Sequence, residues 1–500
     1  MWPNILEGLG AVLQLNNILI FIIATFIGVI IGILPGLGPT FALALFLPFT
    51  FYMNSASAMI FLVVLYCSTV YGGSITSILL NVPGTVGSVA TCFDGYPMAK
   101  QGKGGVALVA MTIGSSIAGL IGVAGLITLA PMLVNVSLLL GPSEYFMLAL
   151  MGISLVAVAS KGDTLRGLVM GGLGLLLSFV GRDVVSGFLR FDFGLRALQS
   201  GISFIPVSIG LFAISQAIIL AEERSSVSQA AIETKNEYLS GLKAAIKNWV
   251  TVVRSSIIGL VIGIMPGIGI SISNFLAYLI EKRFSKDPDS FGKGNIRGVL
   301  APESANKATV AGELIPAFSL GIPGGSTSAI FLVGMTIHGL RPGADLYSTN
   351  ATIMSIIYWA FIVGQLSYLV IGLLFSKPLA KITKISNTIL VPVILILSFL
   401  GAFSYQNSIV DVLIAIVFGI LGYIMHKRRY PVACLIIGMV LGPIVESNFQ
   451  RALLLSDGSY LIFVTRPLSI IFFIISLASL IVPPILEKTK KGTVKASETY

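Results

Sequence analysis

Gly28-Val-Ile-Ile-Gly-Ile-Leu-Pro-Gly-Leu-Gly38 and Gly259-Leu-Val-Ile-Gly-Ile-Met-Pro-Gly-Ile-Gly269 are one pattern written twice in this chain. Pro35 and Pro266 lie 231 residues apart inside apolar runs, so each half of the chain carries one copy. Proline removes a backbone donor and glycine permits unwound geometry, so each copy predicts a helix interrupted in mid-run. Backbone groups freed in this way cannot face lipid; they are buried in protein or line a wet cavity. Matched interruptions in two halves are the pattern of a transporter built from related repeats, with its site at the breaks.

Composition agrees with a membrane setting. Of 500 residues, 55% are hydrophobic and 10% charged, with a mean hydropathy of +0.96. Ordinary globular domains are roughly 25% charged. The apolar runs 18–34, 106–129, 202–220 and 462–486 approach or exceed the roughly 20 residues that cross a bilayer. They lack the period-two alternation of a membrane barrel. The expected class is therefore all-α, a polytopic bundle of about 12 spans, an order-of-magnitude count from span length. Residues 1–17 hold no Lys or Arg, unlike the basic start of a cleaved signal, so the first run reads as retained structure. The net charge of +10 comes from short loops between apolar runs, which reads as orientation and not nucleic-acid binding.

Several chemistries are excluded. Cys67, Cys92 and Cys434 have no metal-ligand spacing and read as buried small hydrophobes. His338 and His426 are isolated. There is no Walker loop and no Ser/His/Asp set, so neither an enzyme nor ATP drive is expected, and no metal or tightly bound cofactor.

The longest polar stretch, 221–248, separates the halves. The expected organisation is a first transmembrane repeat over 1–220, a polar cytoplasmic linker over 221–250, a second repeat over 251–460, and a final helix with a basic cytoplasmic tail over 461–500. Placing the basic loops inside puts the uncharged loop 131–136 outside and its counterpart 377–384 inside. That pattern predicts two inverted-topology repeats with Pro/Gly-broken helices or hairpins. The loop 181–196 opposes it, because it should lie outside yet holds Arg182, Arg190 and Arg196, offset by Asp183 and Asp192.

A second pair of breaks strengthens the duplication. Tyr71-Gly-Gly-Ser-Ile-Thr-Ser-Ile-Leu-Leu-Asn-Val-Pro-Gly-Thr85 matches Ala311-Gly-Glu-Leu-Ile-Pro-Ala-Phe-Ser-Leu-Gly-Ile-Pro-Gly-Gly325. Aligning Pro83 on Pro323 also places Gly72 on Gly312, Gly84 on Gly324 and Ser88 on Ser328. Free amides at the start of a half-helix suit an anion, and free carbonyls at its end suit a cation such as Na⁺. The candidate substrate-binding residues are therefore Gly36, Gly38, Thr40, Asn81, Gly84, Thr85, Gly267, Gly269, Ser271, Asn274, Gly324, Ser326, Thr327 and Ser328. A lone hydroxyl here would more simply close-pack helices; four hydroxyl clusters on repeated breaks favour a site. Charged residues near the breaks are Asp94, Glu303, Lys307 and Glu313. Glu303, Asn306, Lys307 and Glu313 are the ion-coupling candidates. Glu313 reads as a proton carrier or a partner of Lys307, and Glu303 with Lys307 reads equally as a structural pair one helical turn apart.

These motifs resemble the large membrane subunit of tripartite tricarboxylate transporters, the TctA family. The resemblance lies in Leu34-Pro-Gly-Leu-Gly-Pro-Thr40, Tyr71-Gly-Gly-Ser74 through Thr85, and Asp94-Gly-Tyr-Pro-Met-Ala-Lys-Gln-Gly102. It continues in Met265-Pro-Gly-Ile-Gly269, Phe284-Ser-Lys-Asp-Pro-Asp-Ser-Phe-Gly-Lys-Gly294, Ala301-Pro-Glu-Ser-Ala-Asn306, Leu320-Gly-Ile-Pro-Gly324 and His338-Gly-Leu-Arg-Pro-Gly343. It implies a permease of the bacterial inner membrane that works with a small membrane subunit and a periplasmic solute-binding protein. Its substrates would be small organic carboxylates, citrate-like in type, driven by a Na⁺ or H⁺ gradient. The chain departs from the family where Lys307 stands for a second asparagine and Glu313 for a small residue. It departs again where Ile270-Ser271 stands for Ala-Thr and Thr76-Ser77 for Pro-Ala. A passive anion channel, and a paralogue carrying a different carboxylate, are the alternatives.

Overall fold

In chain order, the helices that carry the motifs are α1 (Leu15–Ile33), α2 (Pro39–Phe46), α3 (Ser55–Leu80), α4 (Trp249–Ile264), α5 (Gly269–Arg283), α6 (Arg297–Leu320) and α7 (Ser326–Ile337). Each Pro-Gly pair ends a helix for the same local reason. The residue before a proline is kept out of the α region. Leu34 accordingly closes α1 at φ −78°, ψ 118°, and Met265 closes α4 at φ −80°, ψ 116°. Gly36 and Gly267 then turn the chain at φ 83° and 84°, a left-handed geometry that favours glycine. Pro39 fits the first turn of α2, where a missing amide costs nothing.

The second pair of breaks repeats as closely. Asn81 ends α3 at φ 58° and Gly321 ends α6 at φ 72°, both left-handed caps. The next amide folds back in each case, Val82 N–H to the Thr76 carbonyl (3.5 Å) and Ile322 N–H to the Pro316 carbonyl (3.3 Å). A serine then closes each turn. Ser88 accepts from Thr85 N–H at 3.4 Å and Ser328 from Gly325 N–H at 2.8 Å. After that the halves part, because Val86–Ser88 is a single 3-10 turn while α7 runs 12 residues.

The computed structural model describes residues 2–159, 164–183, 185–222, 237–267, 269–380 and 385–481. Residues 223–236 of the linker 221–250, the loop residues 161–163 and 381–384, and the basic tail from residue 482 lie outside the described residues. Among those described, eight helices are long and apolar enough to cross a membrane. The pair Tyr238–Lys247 and Trp249–Ile264, bent by 66°, would make a ninth. The count falls below 12 because Pro39–Tyr52, Pro142–Val158, Thr164–Ser178, Ser326–Ile337 and Pro467–Ile481 are apolar but short, at 1.5 Å rise per residue. Exposed apolar stripes run at helical spacing, as Ile389, Val393, Ile396 and Leu400 on one helix and Ile409, Leu413, Val417, Ile420 and Ile424 on another. Water would not tolerate such stripes; lipid does. The protein is an all-α, multi-pass membrane protein in which the described β-structure is the two-residue ribbon Gly181–Arg182 with Leu189–Arg190.

The chain forms two compact units that cut across its sequence halves: Met1–Val134 with Ile205–Tyr423, and Asn135–Phe204 with Ile424–Tyr500. The first unit holds every break. Its centre is α3 and α6, buried along their lengths. Each packs against its partner through a glycine seam. Gly28 and Gly32 of α1 lie on Ser68, Thr69 and Gly72 of α3, and Gly259 and Gly263 of α4 lie on Ala305, Thr309 and Gly312 of α6. Small residues let the backbones approach this closely without a hydrophobic drive from lipid.

The second unit packs Pro142–Ala159 and Thr164–Ser178 on Val432–Leu455. Its 181–196 loop resolves part of the charge conflict seen in sequence. Arg190 pairs with Asp183 at 3.0 Å and with Glu446 at 2.5 Å. Asp183 also accepts from the amides of Ser186 (2.6 Å) and Val185 (2.8 Å) and from Gln450 (2.9 Å). The Ser186 amide and the Gln450 side chain hold its carboxyl well below the usual carboxylate range.

Two outcomes follow from this packing. A Cβ at Gly263 would come within 2.8 Å of Gly312 Cα and the Thr309 carbonyl, both backbone atoms. Gly263→Ala should therefore destabilise the detergent-solubilised protein by about 1–3 kcal/mol in a thermal melt, while Gly10→Ala, with nothing within 4 Å, should shift it by less than about 0.5 kcal/mol. Asp183 is stabilised as its anion, so its contribution is complete above about pH 4 and fades as pH falls through its lower folded value. At pH 7 Asp183→Asn should speed hydrogen exchange of the Val185 and Ser186 amides; an unchanged rate would contradict the assigned role.

Candidate functional site

The four breaks touch one another in a closed ring. Gly84 at the end of α3 sits where a Cβ would strike the Gly32 carbonyl in the last turn of α1. The 86–88 turn meets α5, with Asn274 Nδ2 donating to the Val86 carbonyl at 3.0 Å and Ile270 against Gly87. The α4–α5 break meets the α6–α7 break through Gly267 N–H to the Gly324 carbonyl at 2.8 Å. The ring closes where Thr40 Oγ1, in the first turn of α2, reaches Thr327 Oγ1 at 2.7 Å and Ser326 Oγ at 3.2 Å in the first turn of α7. In two of these contacts, the first break of one half meets the second break of the other.

The ring gathers most of the residues singled out by sequence. Gly36, Gly38, Thr40, Gly84, Thr85, Gly267, Gly269, Asn274, Gly324, Ser326, Thr327 and Ser328 lie in it or within one turn of it. The space a Cβ would take at Gly38 is open, with no atom within 4 Å. Asn81 is different, because it is exposed and serves as the left-handed cap of α3. The Ser271 side chain lies outside the described residues. Gln216, which carried no sequence signal, places Nε2 beside Gly36, 2.7 Å from where a Cβ would be.

Polar groups on α6 face the ring from behind, and they divide by partner. Glu303 is buried and accepts from Thr91 Oγ1 (2.5 Å) and Ser74 Oγ (2.6 Å). Lys307 Nζ lies 3.9 Å from Glu303 Oε2 and 5.7 Å from the Tyr71 ring centroid, with no hydrogen-bond partner. Lys307 thus pairs with Glu303 and not with Glu313. Asn306 is fully buried beside Gly87, and both its amide oxygen and nitrogen lack partners, as do Asn274 Oδ1 and Ser304 Oγ. Unpaired buried amides cost on the order of 1–3 kcal/mol each, which makes these atoms the candidate contacts for a polar ligand. Glu313 accepts from Tyr66 OH (2.9 Å) and from Ile270 N–H (3.2 Å) at the start of α5. Tyr66 escaped the sequence reading, although a phenol inside a buried apolar run needs a partner.

Asp94 stands outside the ring. Its Oδ1 accepts from the amides of Gly292 (2.9 Å), Gly294 (2.9 Å) and Asn295 (2.7 Å), and its Oδ2 from Tyr278 OH (2.9 Å). Two quoted motifs thereby meet, and the role is a clamp on the loop before α6. Glu281 clamps the same region through Arg254, Arg297 and Thr251.

In chemical terms, the amide starts of half-helices suit an anion, and their carbonyl ends, with the unpartnered amide oxygens of Asn274 and Asn306, suit a small cation. Among the described residues there is no group of three or more His, Cys, Asp or Glu able to hold a metal ion.

Comparison with known proteins gives the family. Residues 18–437 match the model of the "Tripartite tricarboxylate transporter TctA family". An "uncharacterized 52.8 kDa protein in TAR-I ttuC' 3'region" of Agrobacterium vitis is 33% identical over 496 residues, covering 98% of each chain. An "uncharacterized protein in TAR-II ttuC' 3'region" of the same organism is 35% identical over 211 residues, covering 42% of this chain and 87% of that one. No solved structure matches. The chain belongs to the tripartite tricarboxylate transporter TctA family and is a transport protein.

The left-handed cap separates backbone need from side-chain need at Asn81. Asn81→Gly should keep the melting temperature, and Asn81→Val should destabilise by roughly 1–2 kcal/mol. Loss of uptake in a fully folded Asn81→Gly variant would assign the side chain to substrate.

Proposed function

We propose that this member of the TctA family is the large permease subunit of a secondary active transporter in the bacterial inner membrane. It takes up small di- or tricarboxylates delivered by a periplasmic solute-binding protein, alongside a small membrane subunit, and couples uptake to Na⁺ or H⁺. The observation that carries the reading is the ring of four breaks, with fully buried, unpartnered amide atoms of Asn274 and Asn306 at its 86–88 turn. Substrate carboxylates take the amides at the starts of α2, α5 and α7, with hydroxyls of Thr40, Ser326 and Thr327 beside them. Carbonyls at the ends of α1, α3, α4 and α6 suit the coupling cation.

The two halves take opposite orientations, so the Pro35 and Pro266 segments enter from opposite faces in a scheme of about 12 spans. The loop charges support this, and the near-identical backbone at matched breaks supports the duplication it requires. Coupling is needed on energetic grounds. Each negative charge moved inward against an inside-negative potential costs about 2.3 kcal/mol per 100 mV, so a polyanion requires several co-transported cations.

Uptake of labelled citrate, succinate and malate into proteoliposomes, with binding protein added and Na⁺ and proton gradients varied, tests the proposal. At least one carboxylate should accumulate on one of the gradients. Asn274→Ala should lower the initial rate at least tenfold, about 1.4 kcal/mol. Uptake indifferent to both gradients would instead identify a passive anion pore.

A further inference from the structure

Repeat-equivalent positions differ at one slot in the ring. A shift of 240 residues carries Gly73 onto Glu313 and Thr85 onto Gly325. In the first half the slot beside Gly73 is filled by Thr85, whose Cγ2 is 2.6 Å from where a Gly73 Cβ would be. In the second half the bulk is exchanged, with Gly325 bare and the Glu313 carboxylate over it, 3.1 and 3.2 Å from where a Gly325 Cβ would be. The chain has therefore put a carboxylate where its other half holds a threonine.

That carboxylate occupies ground assigned above to substrate. Glu313 Oε1 takes the Ile270 amide in the first turn of α5, and a Cβ at Gly269 would strike the same oxygen. No cation balances it among the described residues. Glu281 has Arg254 and Arg297, Glu303 has Lys307, Glu144 has Arg466 and Glu446 has Arg190. Glu313, 3% exposed, has only a phenol and an amide. The titratable group facing it from α3 is Tyr66; the first turns of α5 and α7 bring amides and the Thr327 hydroxyl. On its own helix, Lys307 and Glu303 lie six and ten residues back, about 9 and 15 Å along the axis.

We propose that Glu313 is the proton-coupling group of this transporter, an internal carboxylate that yields the α5 amide to a substrate carboxylate by taking up one proton. The inference rests on the carboxylate reading of the ring. Two carboxylates sharing one buried site cannot both stay ionised, and one proton removes the conflict. The proton comes from the side on which substrate enters and converts the Glu313 carboxylate to the acid; the Ile270 N–H is then free for substrate. After substrate leaves on the far side, the acid releases that proton there and the carboxylate returns to Ile270. Tyr66 keeps its own proton throughout, donating to the anion. One proton therefore travels with each substrate at this position.

The test uses the assembled transporter in proteoliposomes and the carboxylate that wild type carries from the citrate, succinate and malate panel. Three quantities are read: accumulation driven by an acid exterior, counterflow without a gradient, and acidification of the lumen. Wild type should accumulate substrate on the pH gradient without Na⁺ and acidify the lumen as it does so. Glu313→Gln should lose at least tenfold of the pH-driven accumulation, and its remaining counterflow should lose the pH dependence seen in wild type. Wild-type uptake that requires Na⁺ and moves no proton would overturn the proposal whatever the variant does. So would a Glu313→Gln protein that still accumulates on the pH gradient, or one that loses counterflow together with accumulation. A wild type that carries no carboxylate would overturn the carboxylate reading itself, a different failure from any of these.

Discussion

Everything at the centre of the first unit follows from one constraint: a backbone amide or carbonyl released from a helix within a membrane has no water to turn to. Four breaks release such groups. Gly267 N–H goes to the Gly324 carbonyl, Gly84 N–H to the Gly73 carbonyl, and Ile270 N–H to Glu313. One of these bonds joins two breaks directly, and the other two tie a break to the buried helices α3 and α6. Burial of α3 and α6 follows from the same need, since a helix carrying Glu303, Asn306, Lys307 and Glu313 must keep those groups away from lipid.

The parts legible in sequence were those set by local backbone chemistry. Proline and glycine announce a break wherever they fall, and aligning Pro83 on Pro323 also matched Gly84 with Gly324 and Ser88 with Ser328; the left-handed caps at Asn81 and Gly321 emerge only from the backbone. The gathering of Thr40, Asn274, Ser326 and Thr327 was legible for a similar reason, since each follows a break by a few residues. Partnership was less legible. Lys307 could be matched on paper with Glu303 or Glu313, and only the packing of α3 against α6 decides it. Tyr66 and Gln216 had no pattern to mark them, because their importance depends on which helix lies opposite. The span count was only partly legible, because hydropathy alone does not give helix length: short apolar helices such as Ser326–Ile337 fall below the length of a full crossing.

The two halves also show how duplicated parts diverge under a conserved backbone. Caps, serine closures and glycine seams are retained, while side chains within the shared frame trade places, as Gly73 and Thr85 do with Glu313 and Gly325. A frame fixed by glycine and proline tolerates such trades because its geometry does not depend on the side chains that fill it. Asp94 and Glu281 add a separate layer, tying the loop before α6 to neighbouring helices without entering the ring.

The glycine seams carry a mechanical consequence. Where Gly28, Gly32, Gly259 and Gly263 nest against facing backbone, there is no layer of pliable side chains to act as a lubricant. Sliding by one turn would drive carbonyls and Cβ atoms of neighbouring residues into the opposite chain. Each paired helix therefore behaves as a single stiff lever, α1 with α3 and α4 with α6. Any rearrangement during a transport cycle must be borne at the ends of those levers, in the few unwound residues whose torsions are free to turn.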